Sequence, residues 1–184
     1  MGNRSAKRDQ IIDAAKEVLA REGLAACTAR AVADASPLTK SAIHYYFNDI
    51  NEIVDQAVSA HVDAMLEGLR QEADRAEPDE RLWAVISSYL ATFADKPHAA
   101  FLWFEYWVSA GRRASLDTVD HMLGKFHAFF LDLLDDVTPD HRDATAHALL
   151  SWLLGTVVQQ HVHPRPATAL RHEIAAIIGD RAPR

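Results

Sequence analysis

Between Ile50 and Leu69 a stripe of residues three and four apart runs without a break: Ile50, Ile53, Val54, Ala57, Val58, His61, Val62, Met65, Leu66 and Leu69. A period near 3.6 lays these side chains along one face of an α-helix for about five turns. In a strand the same residues would be split between two faces, because strand side chains alternate with period two. The spacing recurs along the chain. Ile11, Ile12, Ala15, Val18 and Leu19 form an earlier stripe, closed by Gly23 as a helix stop. Leu82, Trp83, Val85, Ile86, Tyr89, Leu90 and Phe93 follow Pro78 and end at Lys96-Pro97. The aromatic segment from Phe101 to Val108 stops near Gly111, and Ser115 is placed to cap a helix running to about Asp136. Thr138-Pro139 reads as N-cap and first-turn proline of a long helix reaching His161. After Pro164 and Pro166, Leu170, Ile174, Ile177 and Ile178 make a last stripe, ended by Gly179. No window alternates apolar with polar, and no Asn-Gly or Asp-Gly turn occurs. The predicted class is all-α, with about nine helices.

At 49% hydrophobic and 24% charged, the 184 residues hold enough apolar material for a folded protein of one or two domains. The net charge of −7 excludes a uniformly basic nucleic-acid coat. Charge is uneven, however. Residues 1–50 hold seven basic and six acidic groups, and the remainder twelve and twenty. Arg4, Lys7 and Arg8 precede the first acidic residue. The pattern points to an anion-facing front and a solvated acidic body; an ordinary basic tail is the alternative. Cys27 is the only cysteine, so no internal disulfide or cysteine-rich zinc site can form. The first eleven residues lack the apolar stretch of a secretory signal, and the apolar run 148–158 is too short to span a bilayer. A soluble cytoplasmic protein is the expectation.

Between Cys27 and Phe47 the helices become short. Thr28 suits the N-cap of one through Ala35, Ser36-Pro37 breaks the chain, and Thr39 suits the N-cap of another through about Tyr46. Two short helices with a tight turn, after a longer one, describe a helix-turn-helix. The second would be about 12 Å long, matching a major groove about 12 Å wide. On it, Ala42 and Ile43 can pack inward, while Lys40, Ser41, His44 and Tyr45 offer polar groups to phosphates and base edges. A plain helical hairpin with a polar face fits the spacing too.

The stretch from Arg8 to Val58 resembles the DNA-binding region of the TetR (tetracycline-repressor-like) family of transcriptional regulators. The resemblance rests on Ile11, Ala14, Ala15, Gly23, Thr28 and Val32-Ala33, on the string from Leu38 to Phe47, and on Glu52-Ile53 with the helix that follows. It implies a three-helix DNA-binding domain over residues 1–48. A six-helix ligand-binding and dimerisation domain would occupy residues 49–184. It also implies a homodimer reading a pseudo-palindromic operator in double-stranded DNA. Thr28, Tyr45 and Tyr46 would then position phosphates, Lys40 and Ser41 would lie nearest the bases, and Thr39 would cap the recognition helix. His44 is a further candidate contact, and Arg4, Lys7 and Arg8 could reach neighbouring DNA backbone or a minor groove. The sequence departs from the family pattern at Pro37, where the family has a turn glycine, at His44, where it has a tyrosine, and at Ile50, where it has a basic residue. Proline fixes φ near −65°, so the turn must be built another way.

The segment from Phe101 to Trp107 holds five aromatic residues in seven. On a helix they point in several directions, so core and pocket roles are both open. Trp103, Phe104, Tyr106, Trp107, Phe126, Phe130 and Trp152 are the candidate ligand-binding residues, with Phe129 beside them. Aromatic faces next to Glu105 suit a hydrophobic or cationic small molecule. The layout resembles that of TetR regulators related to betaine-responsive repressors, which makes a quaternary ammonium worth testing. Leu149, Leu150, Leu153, Leu154, Val157 and Val158 cover more than one helix face, and Leu170, Ile174 and Ile178 one face of the next. In the family these two helices pair with their copies. Leu149, Leu150, Leu153, Val157, Leu170, Ile174 and Ile178 are therefore the expected dimer interface.

Ten histidines raise the question of metal. None makes an i, i+4 histidine pair, no Glu-x-x-His motif is present, and Asp143 with His147 is the nearest approach to ligand spacing. The expectation is no metal and no cofactor. No Gly-rich phosphate loop or Gly-x-Ser-x-Gly elbow occurs, so no enzyme is expected. The function expected is a ligand-responsive repressor released from its operator by a small molecule. The competing reading is a helical small-molecule binding protein, or a bundle enzyme, without sequence-specific DNA binding.

Overall fold

The structure, a computed structural model, describes residues 2–94, 97–135, 137–138 and 141–179. Among these there are nine α-helices and no strand. They are α1 (Gly2–Glu22), α2 (Ala29–Asp34), α3 (Lys40–Tyr46), α4 (Ile50–Arg75), α5 (Arg81–Ala94), α6 (Pro97–Arg112), α7 (Asp117–Leu133), α8 (Arg142–Val162) and α9 (Ala167–Ile178). No helix among the described residues is long and apolar enough to cross a membrane. The chain forms two compact units. One is Met1–Met65 with Phe101–Val119, and the other Leu66–Ala100 with Asp120–Arg184.

In the first unit α1, α2 and α3 pack on one another. Ile11, Ala15 and Val18 of α1, Val32 of α2, Ile43 of α3 and Ile53 and Ala57 of α4 are all buried. Burying one such aliphatic side chain contributes about 1.5–3 kcal/mol. Local chemistry sets the ends of the short helices. Gly23, at φ 83°, takes the left-handed conformation that stops α1. Thr28 Oγ1 accepts from Ala31 N at 3.2 Å and Thr39 Oγ1 from Ala42 N at 3.3 Å, so both threonines are N-caps. The turn at Pro37 is built by Ser36, whose Oγ accepts from Leu38 N at 3.1 Å. A side-chain hydroxyl thus stabilises a turn that proline cannot make through a left-handed residue.

Arg8 fastens three elements of this unit. Its guanidinium donates to the carbonyl of Tyr46 at the end of α3. It also donates to Glu52 Oε1 at 2.9 Å and lies over the Phe47 ring, 4.0 Å from the centroid. Glu52 further accepts from Asn48 N at 3.0 Å, and its own backbone N–H is capped by Asp49 Oδ1 at 2.9 Å.

In the second unit α5 packs on α8, and α8 on α9. The buried face of α5 is Leu82, Val85, Ile86, Tyr89 and Phe93. Tyr89 meets Phe93 at 5.0 Å and Phe126 of α7 at 6.0 Å, both edge to face. Trp152 Nε1 on α8 donates to Glu173 Oε2 on α9 at 2.8 Å, and Arg165 donates to the same carboxylate.

Several boundaries differ from the sequence reading. Residues 2–10, which precede the apolar stripe that begins at Ile11, are helical too, because no breaker interrupts α1 there. The apolar stripe of α4 ends at Leu69 but its helix runs on to Arg75. Pro97 opens α6 rather than only closing α5, as proline at a first helical position allows; Lys96 lies outside the described residues. Ser115 stands two residues before α7, which ends at Leu133, and Asp136 lies outside the described residues. Thr138 does not cap α8, which starts after His141 with no side-chain cap bond, and Pro139 lies outside the described residues.

The carboxyl of Glu52 is held below its ordinary range, chiefly by the Arg8 hydrogen bond and then by the Asn48 N–H. A depressed carboxylate stabilises the fold above its unfolded pKa of about 4.3 and loses that contribution as pH falls through the lower folded value. Glu52→Gln should therefore lower the melting temperature at pH 7, with the difference from wild type shrinking towards pH 3. Thermal unfolding followed by circular dichroism at the two pH values checks this.

Candidate functional site

Ile43 is 1% exposed and anchors α3 in the core of its unit. That anchor fixes which side chains face outward. Lys40, Ser41, His44 and Tyr45 are exposed, Tyr45 at 70%. Thr28 and Thr39 are exposed while their hydroxyl oxygens cap α2 and α3. Tyr46 is half-buried and meets Tyr45 edge to face at 5.1 Å. Arg4 lies over the Tyr45 ring, 5.7 Å from its centroid. The seven candidate DNA-contacting residues thus lie on α3 and at the two helix N-termini. Together they present a cation, hydroxyls, an imidazole and phenols, groups that bond phosphates and base edges. Arg8 is committed elsewhere, to Tyr46, Glu52 and Phe47. The sequence offered no signal for that engagement, because its partners lie 38 and 44 residues away.

The same unit holds an open cavity of about 720 Å³. Its walls come from the loop after α1 (Leu24, Ala25, Cys27), the start of α4 (Ile50, Asn51, Val54) and α6. From α6 come Phe101, Phe104, Glu105 and Val108, with Arg112 and Arg113 at its end. Burial pushes the Cys27 thiol up to about 11, so it is an inert apolar wall. Arg113 donates to Asp55 Oδ1 at 2.9 Å, and the buried Tyr106 donates its hydroxyl to the same oxygen at 2.9 Å. Burial first, and then the Asp55 bond, push the Tyr106 hydroxyl up to about 12, so it stays a donor.

Of the candidate ligand residues, Phe104 lines this cavity, and Tyr106 is enclosed beside Asp55. Trp103 and Trp107 are half-buried, their rings 5.4 Å apart. Their indole N–H groups are buried with no partner among the described residues. Phe126, Phe129 and Phe130 are buried, and Trp152 is tied to Glu173. A second cavity, about 480 Å³, lies in the other unit between α5 and α8, lined by Leu90, Phe93, Val157 and His161 among others. Sequence reasoning missed the loop residues Leu24 and Ala25 as cavity walls, since nothing in their spacing places them opposite α6.

Of the expected interface residues, Leu149, Leu153, Val157, Leu170 and Ile174 are buried within their own chain, while Leu150 and Ile178 are half-buried. The outward apolar stripe of α8 is Leu150, Leu154, Val158 and Val162, the last two 43% and 65% exposed. These residues are four apart, so they form a row on the face turned away from the core.

Two short helices, α2 and α3, capped by Thr28 and Thr39 and joined by a tight turn after α1, form a helix-turn-helix. Residues 11–57 match the model of the bacterial regulatory proteins of the tetR family. The chain is 30% identical over 111 residues to the HTH-type transcriptional regulator YfiR of Bacillus subtilis. That match covers 58% of this chain and 52% of the relative, so the chain spans about half the length of that relative. Its fold is similar to that of a TetR transcription regulator from Haloarcula marismortui, with a TM-score of 0.76 at 15% identity, over 96% of this chain and 98% of the other. It is also similar to a transcriptional regulator from Saccharomonospora viridis in complex with choline, with a TM-score of 0.66 at 19% identity, over 96% and 97%. Residues 11–57 therefore carry the tetR-family pattern, and the chain shares its fold with these regulators.

Lys40→Ala and Tyr45→Ala should each weaken operator binding by about 1–3 kcal/mol. Fluorescence anisotropy against a labelled operator checks this, and unchanged affinity in both would remove α3 from the interface.

Proposed function

We propose that the chain is a homodimeric repressor that holds a pseudo-palindromic operator and releases it when a small molecule binds. The observation that carries the reading is the outward row of Lys40, Ser41, His44 and Tyr45, set by the buried Ile43. Residues 1–48 act as the DNA-binding head and residues 49–184 as the ligand-binding and dimerising body. Lys40 and Ser41 read base edges. Thr28, Tyr45 and Tyr46 hold phosphates, Thr39 caps the helix whose N-terminus favours them, and His44 adds a contact. The protein works where the DNA is, in the cytoplasm, and it is a regulator rather than an enzyme.

The effector occupies the cavity shared by α6, the start of α4 and the loop before Thr28. Phe101 and Phe104 with the Glu105 carboxylate suit a cation of apolar surface. The choline complex of the Saccharomonospora viridis regulator favours the same ligand class. The buried, unpartnered indole N–H groups of Trp103 and Trp107 support a recognition role for α6. A ligand in this cavity bears on the loop that leads into α2 and on the first turn of α4. Two heads must sit about 34–36 Å apart to meet successive major grooves, so a small shift costs many contacts. Switching from 99% to 1% bound-competent needs about 5.5 kcal/mol of differential ligand binding. In the dimer, α8 and α9 pair with their copies. Leu150, Leu154, Val158 and Val162 supply the outward row and Ile178 a neighbouring edge.

Purified protein should bind the DNA upstream of its own gene tightly in fluorescence anisotropy, resist unrelated competitor DNA, and weaken steeply between two salt concentrations. Choline, used as the first probe, should lower that affinity. Equal binding to all DNA, or none, would favour the small-molecule binding protein without an operator. Separately, Val158→Glu should shift the protein from dimer to monomer at micromolar concentration in sedimentation velocity. An unchanged dimer would place the interface elsewhere.

A further inference from the structure

The acidic body brings together three side chains that look unrelated in the sequence. His127 stands on α7, and Asp143 and His147 stand one turn apart at the start of α8. Their potential ligand atoms all lie within 4.8 Å of one another. The His127 and His147 rings are 4.0 Å apart at 50°. We infer that this cluster is a binding site for a divalent transition-metal ion of the zinc type.

The surroundings of the two rings suit a metal. His147 Nδ1 lies 3.0 Å from the backbone carbonyl of Asp143. A carbonyl oxygen only accepts, so Nδ1 donates to it, 3.8 Å from Asp143 Oδ2, and Nε2 is the nitrogen left open to a metal. Metal-binding histidines are commonly oriented by such a bond on the other ring nitrogen. His127 Nε2 is buried and makes no hydrogen bond among the described residues, yet it faces Asp143 Oδ1 at 3.4 Å. That is long for a hydrogen bond. It is the spacing of two ligands on one ion: donors 2.0–2.2 Å from a tetrahedral metal sit about 3.3–3.6 Å apart.

The chemistry of the set agrees. Two imidazoles and one carboxylate favour zinc, cobalt, nickel or copper over magnesium or calcium, which prefer oxygen. The side chain of His127 is 19% exposed, while those of Asp143 and His147 are 76% and 65% exposed. One ligand is therefore held in place, and two line an entry path from solvent. Three protein ligands leave a fourth position for water or a small anion. The excess of acidic over basic groups beyond residue 50 attracts cations to this half of the chain. Bound metal would tie α7 to α8. No i, i+4 histidine pair exists to reveal the site, because the third ligand comes from another helix.

The test uses the full chain without a histidine tag, stripped with a chelator and titrated with Co²⁺. One Co²⁺ per chain should bind with the visible absorption of a low-coordinate site, and Zn²⁺ should displace it. His127→Ala and Asp143→Asn should each weaken binding by about tenfold or more, and His121→Ala, on the same helix but outside the cluster, should not. Asp143 is exposed, so Asp143→Asn keeps the test decisive if His127→Ala fails to fold. Binding weaker than about 1 mM, or affinity unchanged in both variants, would overturn the site and leave an ordinary histidine–aspartate pair.

Discussion

Arg8 does more for the front of this molecule than its place in a basic segment suggests. Its guanidinium reaches the last carbonyl of α3, the Glu52 carboxylate of α4 and the face of Phe47. The end of a recognition helix is a weak point, because its final carbonyls lack partners within the helix. A cation that satisfies one of them, while paired to the next helix, sets the angle at which α3 leaves the core. Ile43 then fixes the rotation of α3, and angle and rotation together decide which groups face outward. The remaining front-end bonds, from the Asp49 cap to the two threonine caps, stabilise the helices that this clamp orients.

The cavity depends on the same frame. It lies against the loop after α1 and the first turns of α4, so its shape follows from where α1 and α4 are pinned. Asp55 adds a second fixed point by taking both Tyr106 and Arg113 from the α6 side. Under the proposed function, an effector held there bears on the loop that leads into α2 and on the first turn of α4.

The helical spacing was legible because the hydrophobic effect imposes it locally: each helix must bury one face, and the period shows in the residue order. The caps at Thr28 and Thr39 were legible for the same local reason. The aromatic cluster was harder to read. Five rings around one helix cannot share a single environment. The structure divides them among an enclosed tyrosine, two half-buried indoles, a cavity wall and an exposed phenylalanine. The leucines of α8 posed a similar ambiguity, since period and composition do not say which face the core takes.

The sequence by itself determined the all-α class, the short capped helices between Thr28 and Tyr46, and the polar groups that a recognition helix would present. These depend on contacts within a few residues. Only the tertiary structure decided that Arg8 is a fastener rather than a free cation. It also decided that Leu24 and Ala25 line one cavity with Phe104, and that His127 meets Asp143 and His147. Those pairings join residues on different helices, and helix packing, which sets them, leaves no periodic trace in the order of the residues.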